Sequence, residues 1–101
     1  MNKEYKVELN KEDKAFYLMK NSEKLGHLIY TLDEDNKMTL TSTEVDPSLK
    51  GEGLGINLIN AGVDFAREKG YKLDATCPYA VLMLDRNRED FKDVISKDFK
   101  A

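Results

Sequence analysis

Hydrophobic and polar residues alternate through the first half of the chain. Residues 4–10, 15–20, 24–33 and 37–45 each carry apolar or β-branched side chains at every second position, the period of a half-buried strand. The short polar stretches KEDK, NSEK and DEDN lie between them and are typical of turns. This pattern predicts four strands joined by short turns, an antiparallel meander.

The period changes in the second half. Between Leu54 and Lys69 the apolar and small residues recur at helical spacing: Leu54, Gly55, Leu58, Ile59, Gly62, Phe65 and Ala66. Gly70 is placed to end this helix. Because glycine costs about 1 kcal/mol in a helix interior, we expect Gly62 to pack closely against the sheet. The pattern predicts a fifth strand over residues 71–77 and a second helix over residues 79–90. Residues 91–101 are expected to form a polar tail that has room for one more helical turn.

The order of these elements predicts an α+β fold (mixed α/β), in which a four-strand meander is followed by helix, strand and helix. One domain should span residues 1–101. A helix of about four turns connects the strands at 37–45 and 71–77, so we expect those strands to be parallel neighbours. The glycine loop before the helix should then lie at their ends, where such sheets bind ligands.

Composition narrows the class of protein. Of the 101 residues, 41% are hydrophobic and 35% are charged, as in an ordinary water-soluble domain. The net charge of −3 argues against a nucleic-acid or anionic-membrane binder, and no apolar run or signal segment indicates a membrane protein. The single cysteine, Cys77, fits a reducing compartment, so we expect a cytoplasmic monomer or small homo-oligomer. No ligand cluster has the spacing of a metal site, and we interpret the lone His27 as structural or exposed.

Three glycines stand at alternate positions in LKGEGLGIN, residues 49–57, just before the predicted helix. The N-terminus of a helix offers unpaired N–H groups and the positive end of its dipole, an arrangement that suits a phosphate or pyrophosphate. The alternative is a turn without a ligand. The spacing matches neither the dinucleotide-binding fingerprint nor the nucleoside-triphosphate loop, so the loop alone supports only an anion site.

The stretch VDPSLKGEGLG resembles the acetyl-coenzyme A signature of GNAT-type N-acetyltransferases. That signature has Arg or Gln, two residues, Gly, one residue, then Gly or Ala, and here Lys50, Gly53 and Gly55 fill its places. Lys50 keeps the charge of Arg without its planar geometry. With TEV at residues 43–45 and CPY at residues 77–79, the chain is similar to the short YjdJ-type (minimal GNAT-like) branch over roughly residues 24–94.

The resemblance implies an acyltransferase that binds acetyl-coenzyme A and transfers the acetyl group to an amine. It places coenzyme A on eight residues: Val45, Lys50, Gly51, Glu52, Gly53, Leu54, Gly55 and Ile56. The alternatives are a coenzyme A-binding module without turnover and a protein-interaction domain that holds no small ligand. Arg86 and Arg88 are weaker candidates for contacts with the adenosine 3′-phosphate.

Three residues are catalytic candidates, each with a plainer alternative. Cys77 would lie near the thioester and could accept the acetyl group, or it is a small buried hydrophobe. Glu44 could take a proton from the amine, or it is a solvated strand residue. Tyr79 could protonate the departing thiolate, or it packs on the sheet. Ser42 stands where the branch often has His, so a base is missing at that position.

Overall fold

The computed structural model describes residues 5–49 and 51–99. Its fold is built on a single five-stranded sheet. The strands are β1 (Lys6–Asn10), β2 (Ala15–Lys20), β3 (Glu23–Leu32), β4 (Lys37–Val45) and β5 (Lys72–Ala75). The helices are α1 (Leu54–Lys69), α2 (Pro78–Arg86) and α3 (Arg88–Phe91), and a 3₁₀ turn covers Pro47–Leu49. The strands lie in chain order, with β1 to β4 antiparallel and β5 parallel to β4. The predicted meander and the parallel pair are both confirmed.

The hydrophobic core lies on one face of the sheet, beneath α1 and α2. Alternate strand residues point into it: Phe16, Leu18, Leu28, Tyr30, Met38, Leu40, Leu73 and Ala75. Gly62 brings α1 close to this face, because a Cβ at that position would lie 3.0 Å from Cδ2 of Leu28. The expectation that Gly62 is a close-packing position is confirmed. No helix within the described part of the chain is long and apolar enough to cross a membrane.

The second helical segment is interrupted at Asn87. Its side-chain amide donates a hydrogen bond of 2.8 Å to the Met83 carbonyl, and its backbone leaves helical geometry at φ −112° and ψ 28°. A side chain that bonds the backbone of its own helix competes with continuation of that helix. The predicted helix over residues 79–90 is therefore two short helices, α2 and α3.

The segment that begins at Phe91, the last residue of α3, is less polar than we expected. Phe91, Val94 and Phe99 are buried in the core cluster. The Leu73 amide donates to the Val94 carbonyl at 2.6 Å, and a short parallel bridge pairs Leu73 with Ile95. The described part of this segment thus closes the far edge of the sheet beside β5.

The parallel pair separates before β4 ends. Register between β4 and β5 covers only Lys37–Leu40, while β4 continues to Val45. The amides of Thr76 and Cys77 both turn back to the Leu40 carbonyl, at 3.0 and 3.2 Å. Over residues 41–45 the edge of β4 that faces away from β3 has no paired strand among the described residues. The end of β4 and the segment after β5 therefore diverge, and the opening between them leads towards the glycine loop.

Candidate active site

A β-bulge at Thr41 decides which side chains of β4 enter the site. Tyr30 pairs with Leu40, but Ile29 pairs with Ser42, so Thr41 has no partner on β3. Without the bulge, strict alternation from Leu40 would turn Ser42 and Glu44 towards the core. With the bulge, Ser42 and Glu44 instead point away from the core, and Thr43 points towards it.

Because of the bulge, the last side chains of β4 lie on known faces of the sheet, some on the core face and some on the outer face. Thr43 pairs with the buried Leu28 and therefore lies on the core face, together with Val45. Ser42 and Glu44 pair with Ile29 and His27 on the opposite, outer face of the sheet. One short stretch of strand thus supplies side chains to both faces.

The first cavity, which we call the loop cleft, lies where β4 ends and both helices begin. It has a volume of about 390 Å³. It is lined by the end of β4 and the loop after it (Thr43, Glu44, Val45, Asp46, Pro47, Leu49), by the glycine loop and start of α1 (Gly51, Gly53, Leu54, Gly55), and by Tyr79 of α2. The opening between β4 and β5 and the N-terminus of α1 therefore border the same cavity.

The glycine loop takes up a backbone that favours glycine. Gly51 has φ 91° and Gly53, the N-cap of α1, has φ 69° and ψ 24°, a left-handed conformation that costs roughly 1–2 kcal/mol for most other residues. No side chain caps the helix, and its first turn has no acidic residue. The free N–H groups and positive dipole end of α1 therefore favour an anion at the cleft. The described lining has two carboxylates, Glu44 and Asp46, and no cation, so only the backbone of the loop and helix favours an anion there; Lys50 lies outside the described residues.

Seven of the eight predicted coenzyme-binding residues are described. Five of them line the loop cleft: Val45, Gly51, Gly53, Leu54 and Gly55. The remaining two, Glu52 and Ile56, do not: Glu52 is exposed, and Ile56 packs against the core. The structure brings the glycines and the end of β4 together.

Cys77 lies at the N-terminus of α2, beside the loop cleft. Its Sγ is 3.4 Å from Thr43 Oγ1, which lines the cleft. Burial disfavours the charged thiolate and raises the pKa, but hydrogen bonding with the Thr43 hydroxyl, to which the neutral thiol donates, and with the backbone of Ala80, Tyr79 and Thr43 lowers it by more. The net result is a pKa of Cys77 below the ordinary value of a thiol. Cys77 is also buried, with 7% of its surface exposed, and packs in the hydrophobic core cluster, which agrees with the plainer interpretation of a small buried hydrophobe.

Replacing Thr43 by valine should make Cys77 less reactive. The variant keeps the shape of the side chain but removes the hydroxyl that stabilises the thiolate, so the pKa of Cys77 should rise. A hydrogen bond of this kind contributes about 1 kcal/mol, and we expect alkylation at neutral pH to slow by roughly 3- to 5-fold. The measurement is the rate of iodoacetamide modification against pH.

The matched control is Thr41→Val. Thr41 is an exposed threonine of the same strand, and its hydroxyl bonds the Ile29 carbonyl instead. The control should leave the alkylation profile unchanged. An unchanged profile in Thr43→Val as well would contradict the role of Thr43.

Tyr79 stands at the wall of the loop cleft opposite β4. Burial raises the pKa of its hydroxyl, although Arg86 opposes the rise, so the group stays protonated at neutral pH and can donate a proton. A Cβ at Gly55 would lie 2.8 Å from the Tyr79 hydroxyl oxygen. Gly55 therefore leaves the space that the phenol occupies.

A second cavity lies on the outer face of the sheet, and we call it the outer groove. It has a volume of about 380 Å³. It is lined by Tyr17, Lys24, Leu25, Gly26, His27, Glu44, Val45, Asp46 and Pro47. Residues 44–47 also line the loop cleft, so the two cavities meet around the end of β4.

His27 is partnered in this groove. Its Nε2 lies 3.0 Å from Ser42 Oγ and 3.9 Å from Glu44 Oε2, and its side chain is 25% exposed. Glu44 itself is 77% exposed, which agrees with a solvated strand residue but leaves its carboxylate available to a ligand. The structure places an imidazole beside Ser42, although from β3 rather than β4.

Of the two arginine candidates for the adenosine 3′-phosphate, Arg88 lines neither cavity, whereas the charge of Arg86 acts on the pKa of Tyr79 at the loop cleft. Arg88 Nε donates to Asp85 at 2.8 Å, and its guanidinium stacks 5.0 Å from the Phe99 ring centroid. Among residues 5–49 and 51–99, no three His, Cys, Asp or Glu side chains are grouped to hold a metal ion.

Sequence reasoning missed Thr43 as a partner of Cys77 and missed the contact between His27 and Ser42. A hint for the first was a threonine inside the TEV stretch. The second had no signal, because the bulge that sets this register leaves no clear mark in the hydrophobic pattern.

Comparison with known proteins shows which sequence family matches this chain and which solved structures share its fold. The sequence profile of the GCN5-related N-acetyl-transferases matches residues 15–94. No curated protein sequence matches significantly.

Several solved structures are similar. A GCN5-like candidate N-acetyltransferase from Staphylococcus aureus has a TM-score of 0.74 and 26% identity, over 93% of this chain and 90% of that chain. A ribosomal-protein-alanine N-acetyltransferase from Brucella melitensis biovar Abortus 2308 has a TM-score of 0.59 and 19% identity, over 86% of this chain and 64% of that one. An IAA acetyltransferase from Bacillus cereus has a TM-score of 0.58 and 19% identity, over 75% and 52%. The latter two chains are longer, and they support the fold alone.

Proposed function

The chain belongs to the GCN5-related N-acetyltransferase family, and we propose that it transfers an acetyl group from acetyl-coenzyme A to an amine. The observation that carries the proposal is the loop cleft, which joins the unpaired edge of β4 to the uncapped N-terminus of α1. The assignment to the short YjdJ-type branch stays a prediction.

The loop cleft offers binding groups for two parts of coenzyme A, the pyrophosphate and the pantetheine chain. Amides of Gly51, Gly53 and Leu54 and the dipole of α1 would hold the pyrophosphate, since the described lining has no cation to do so. A Cβ at Gly51 or Gly53 would meet nothing within 4 Å, so the loop is open to a ligand. Among the described residues no strand pairs with the edge of β4 that faces away from β3 over residues 41–45, so an extended pantetheine chain could bond backbone groups there.

Cys77 and Tyr79 would carry out the acetyl transfer beside the pantetheine chain, Cys77 as nucleophile and Tyr79 as proton donor. The Cys77 thiolate would attack the acetyl carbonyl, forming a new thioester as the coenzyme A thiolate leaves. Tyr79 would give its proton to that thiolate. An amine would then take the acetyl group from Cys77. Direct transfer from acetyl-coenzyme A to the amine is the alternative route.

The test is acetyl transfer to a panel of primary amines: butylamine, spermidine and a lysine-containing peptide. We expect amine-dependent release of free coenzyme A, together with acetylated amine detected by mass spectrometry. An acetyl adduct on Cys77 should appear when the amine is omitted. Turnover that survives Cys77→Ala unchanged would leave direct transfer as the route.

The second candidate, a binding module, is favoured by one observation: Ser42 stands where a base is expected. It predicts that coenzyme A binds to the loop cleft while none of the amines is acetylated. Failure to bind coenzyme A as well would contradict both candidates and favour a protein-interaction domain.

A further inference from the structure

The first strand, β1, has one unpaired backbone edge. It pairs with β2 on one side, and on its other side no strand of residues 5–49 or 51–99 pairs with it. The loop cleft lies beside β4, three strands away in the sheet, so this edge is remote from the proposed coenzyme site. An unpaired strand edge is a template on which another strand can add.

The backbone groups at this edge belong to alternate residues of β1. Successive residues of a strand direct their N–H and C=O groups to opposite edges. The Tyr30 amide of β3 donates to the carbonyl of Lys14, the residue before β2, at 3.0 Å. Tyr17, an odd number of residues further along, therefore turns to β1, where it pairs with Glu8. Glu8 thus bonds β2, and its neighbour Val7 presents its N–H and C=O groups at the free edge.

The side chains of β1 carry opposite charges two residues apart. Lys6 and Glu8 are exposed on the outer face of the sheet. Their partners on β2 are Met19 and Tyr17, so β2 offers neither of them an opposite charge. Val7, between them, lies on the core face and is only half-buried. The edge therefore combines unmatched charges on one face with an incompletely covered apolar residue on the other.

We propose that β1 pairs antiparallel with β1 of a second copy of this chain, with the two Val7 residues opposite each other. Lys6 of each copy then faces Glu8 of the other on the outer face, and Tyr5 faces Leu9 on the core face. The two Val7 residues exchange two backbone hydrogen bonds, as directly opposed residues do in an antiparallel ladder. This pairing is independent of acetyl transfer and leaves both loop clefts open.

Charge selects this register among those that the backbone allows. Because alternate residues supply the edge groups in both copies, the residue opposite Val7 is Val7, Tyr5 or Leu9. With Leu9 in that place, Glu8 faces Glu8, and with Tyr5, Lys6 faces Lys6. Like charges directly opposite each other destabilise a strand pair, whereas opposite charges stabilise it. An unrelated strand would leave both charges unmatched, which is how charged edge strands resist pairing.

The pairing is short, so the dimer should be weak. It spans residues 5–9 of each copy. Because interfaces that bury less than about 1,200 Å² belong to weak complexes, we expect a Kd of about 100 µM. Sedimentation equilibrium should show the mass of the wild-type chain rising towards that of two chains above this concentration. A wild-type chain that stays monomeric at about 1 mM would overturn the proposal.

Exchanging the charges tests the register. Lys6→Glu opposes Glu to Glu twice in the dimer, and Glu8→Lys opposes Lys to Lys twice, so each variant alone should raise Kd by about 30-fold. An equimolar mixture of the two variants should associate about as tightly as the wild type, since every Glu then faces a Lys. The double variant Lys6→Glu with Glu8→Lys should also dimerise like the wild type.

Lys92→Glu is the matched control. It makes the same change in net charge at an exposed residue after α3, near β5 at the opposite edge of the sheet. Four strand spacings separate the edges by roughly 20 Å, more than the screening length at physiological salt, so Kd should change by less than about 3-fold. Circular dichroism checks that each variant is folded.

Three further outcomes would overturn this pairing. The first is a folded Lys6→Glu variant that dimerises as tightly as the wild type. The second is a pair of single variants that do not associate when mixed. The third is an equal loss of dimer in Lys92→Glu, which would assign the effect to net charge.

Discussion

Replacing Gly53 by aspartate should weaken coenzyme A binding by about 30-fold relative to replacement by asparagine. Gly53 is the N-cap of α1, and a side chain there would enter open space at the loop cleft. A carboxylate about 6 Å from the pyrophosphate would repel it by roughly 3 kcal/mol at an effective dielectric of 20. Screening at an open rim reduces this to about 2 kcal/mol, which corresponds to the stated change in Kd.

The comparison of Gly53→Asn with Gly53→Asp isolates charge, because the two substitutions introduce side chains of the same shape. Asparagine and aspartate both tolerate left-handed backbone better than other residues, and both are favoured N-caps. The two variants should therefore unfold at similar denaturant concentrations. Isothermal titration of each with coenzyme A gives the affinities. Equal Kd values would place the pyrophosphate away from the start of α1.

Leu40→Ala should lower the free energy of unfolding by about 3 kcal/mol, within the range measured for buried leucines. Leu40 is fully buried between the sheet and α1, where Gly62 leaves room for it. Small domains have a total stability of roughly 5–15 kcal/mol, so the loss is a large fraction. Urea unfolding followed by circular dichroism measures it.

Leu82→Ala is the matched control, since Leu82 is the large hydrophobic residue that α2 leaves 45% exposed. Its loss should cost less than about 0.5 kcal/mol. A Leu40→Ala variant as stable as Leu82→Ala would mean that the core does not close around Leu40. The prediction also bears on the site, since the Leu40 carbonyl holds the amides of Thr76 and Cys77.

Local patterns predicted most of the fold because most of its elements follow a regular period. Alternation identified β1 to β4, helical spacing identified α1 with Gly70 at its end, and the length of α1 required a parallel pairing with β5. The break at Asn87 and the burial of Phe99 depend on a single side-chain hydrogen bond and on tertiary packing. Neither has a periodic signature.

The candidate site was predictable where it depends on backbone and not where it depends on register. Gly51, Gly53 and Gly55 indicated a loop at a helix start, and the structure places them in one cavity with Val45. One unpaired residue, Thr41, then reverses every side chain after it on β4. The contact of Thr43 with Cys77 and that of Ser42 with His27 both follow from this reversal.

The binding of coenzyme A in the loop cleft is the central claim, and an amide NMR titration of the wild-type chain tests it most directly. Millimolar coenzyme A should shift the backbone amides of Gly51, Gly53, Leu54 and Gly55 most strongly, while those of β1, at the far edge of the sheet, stay in place. Loop amides that do not move, or shifts confined to other parts of the chain, would contradict it.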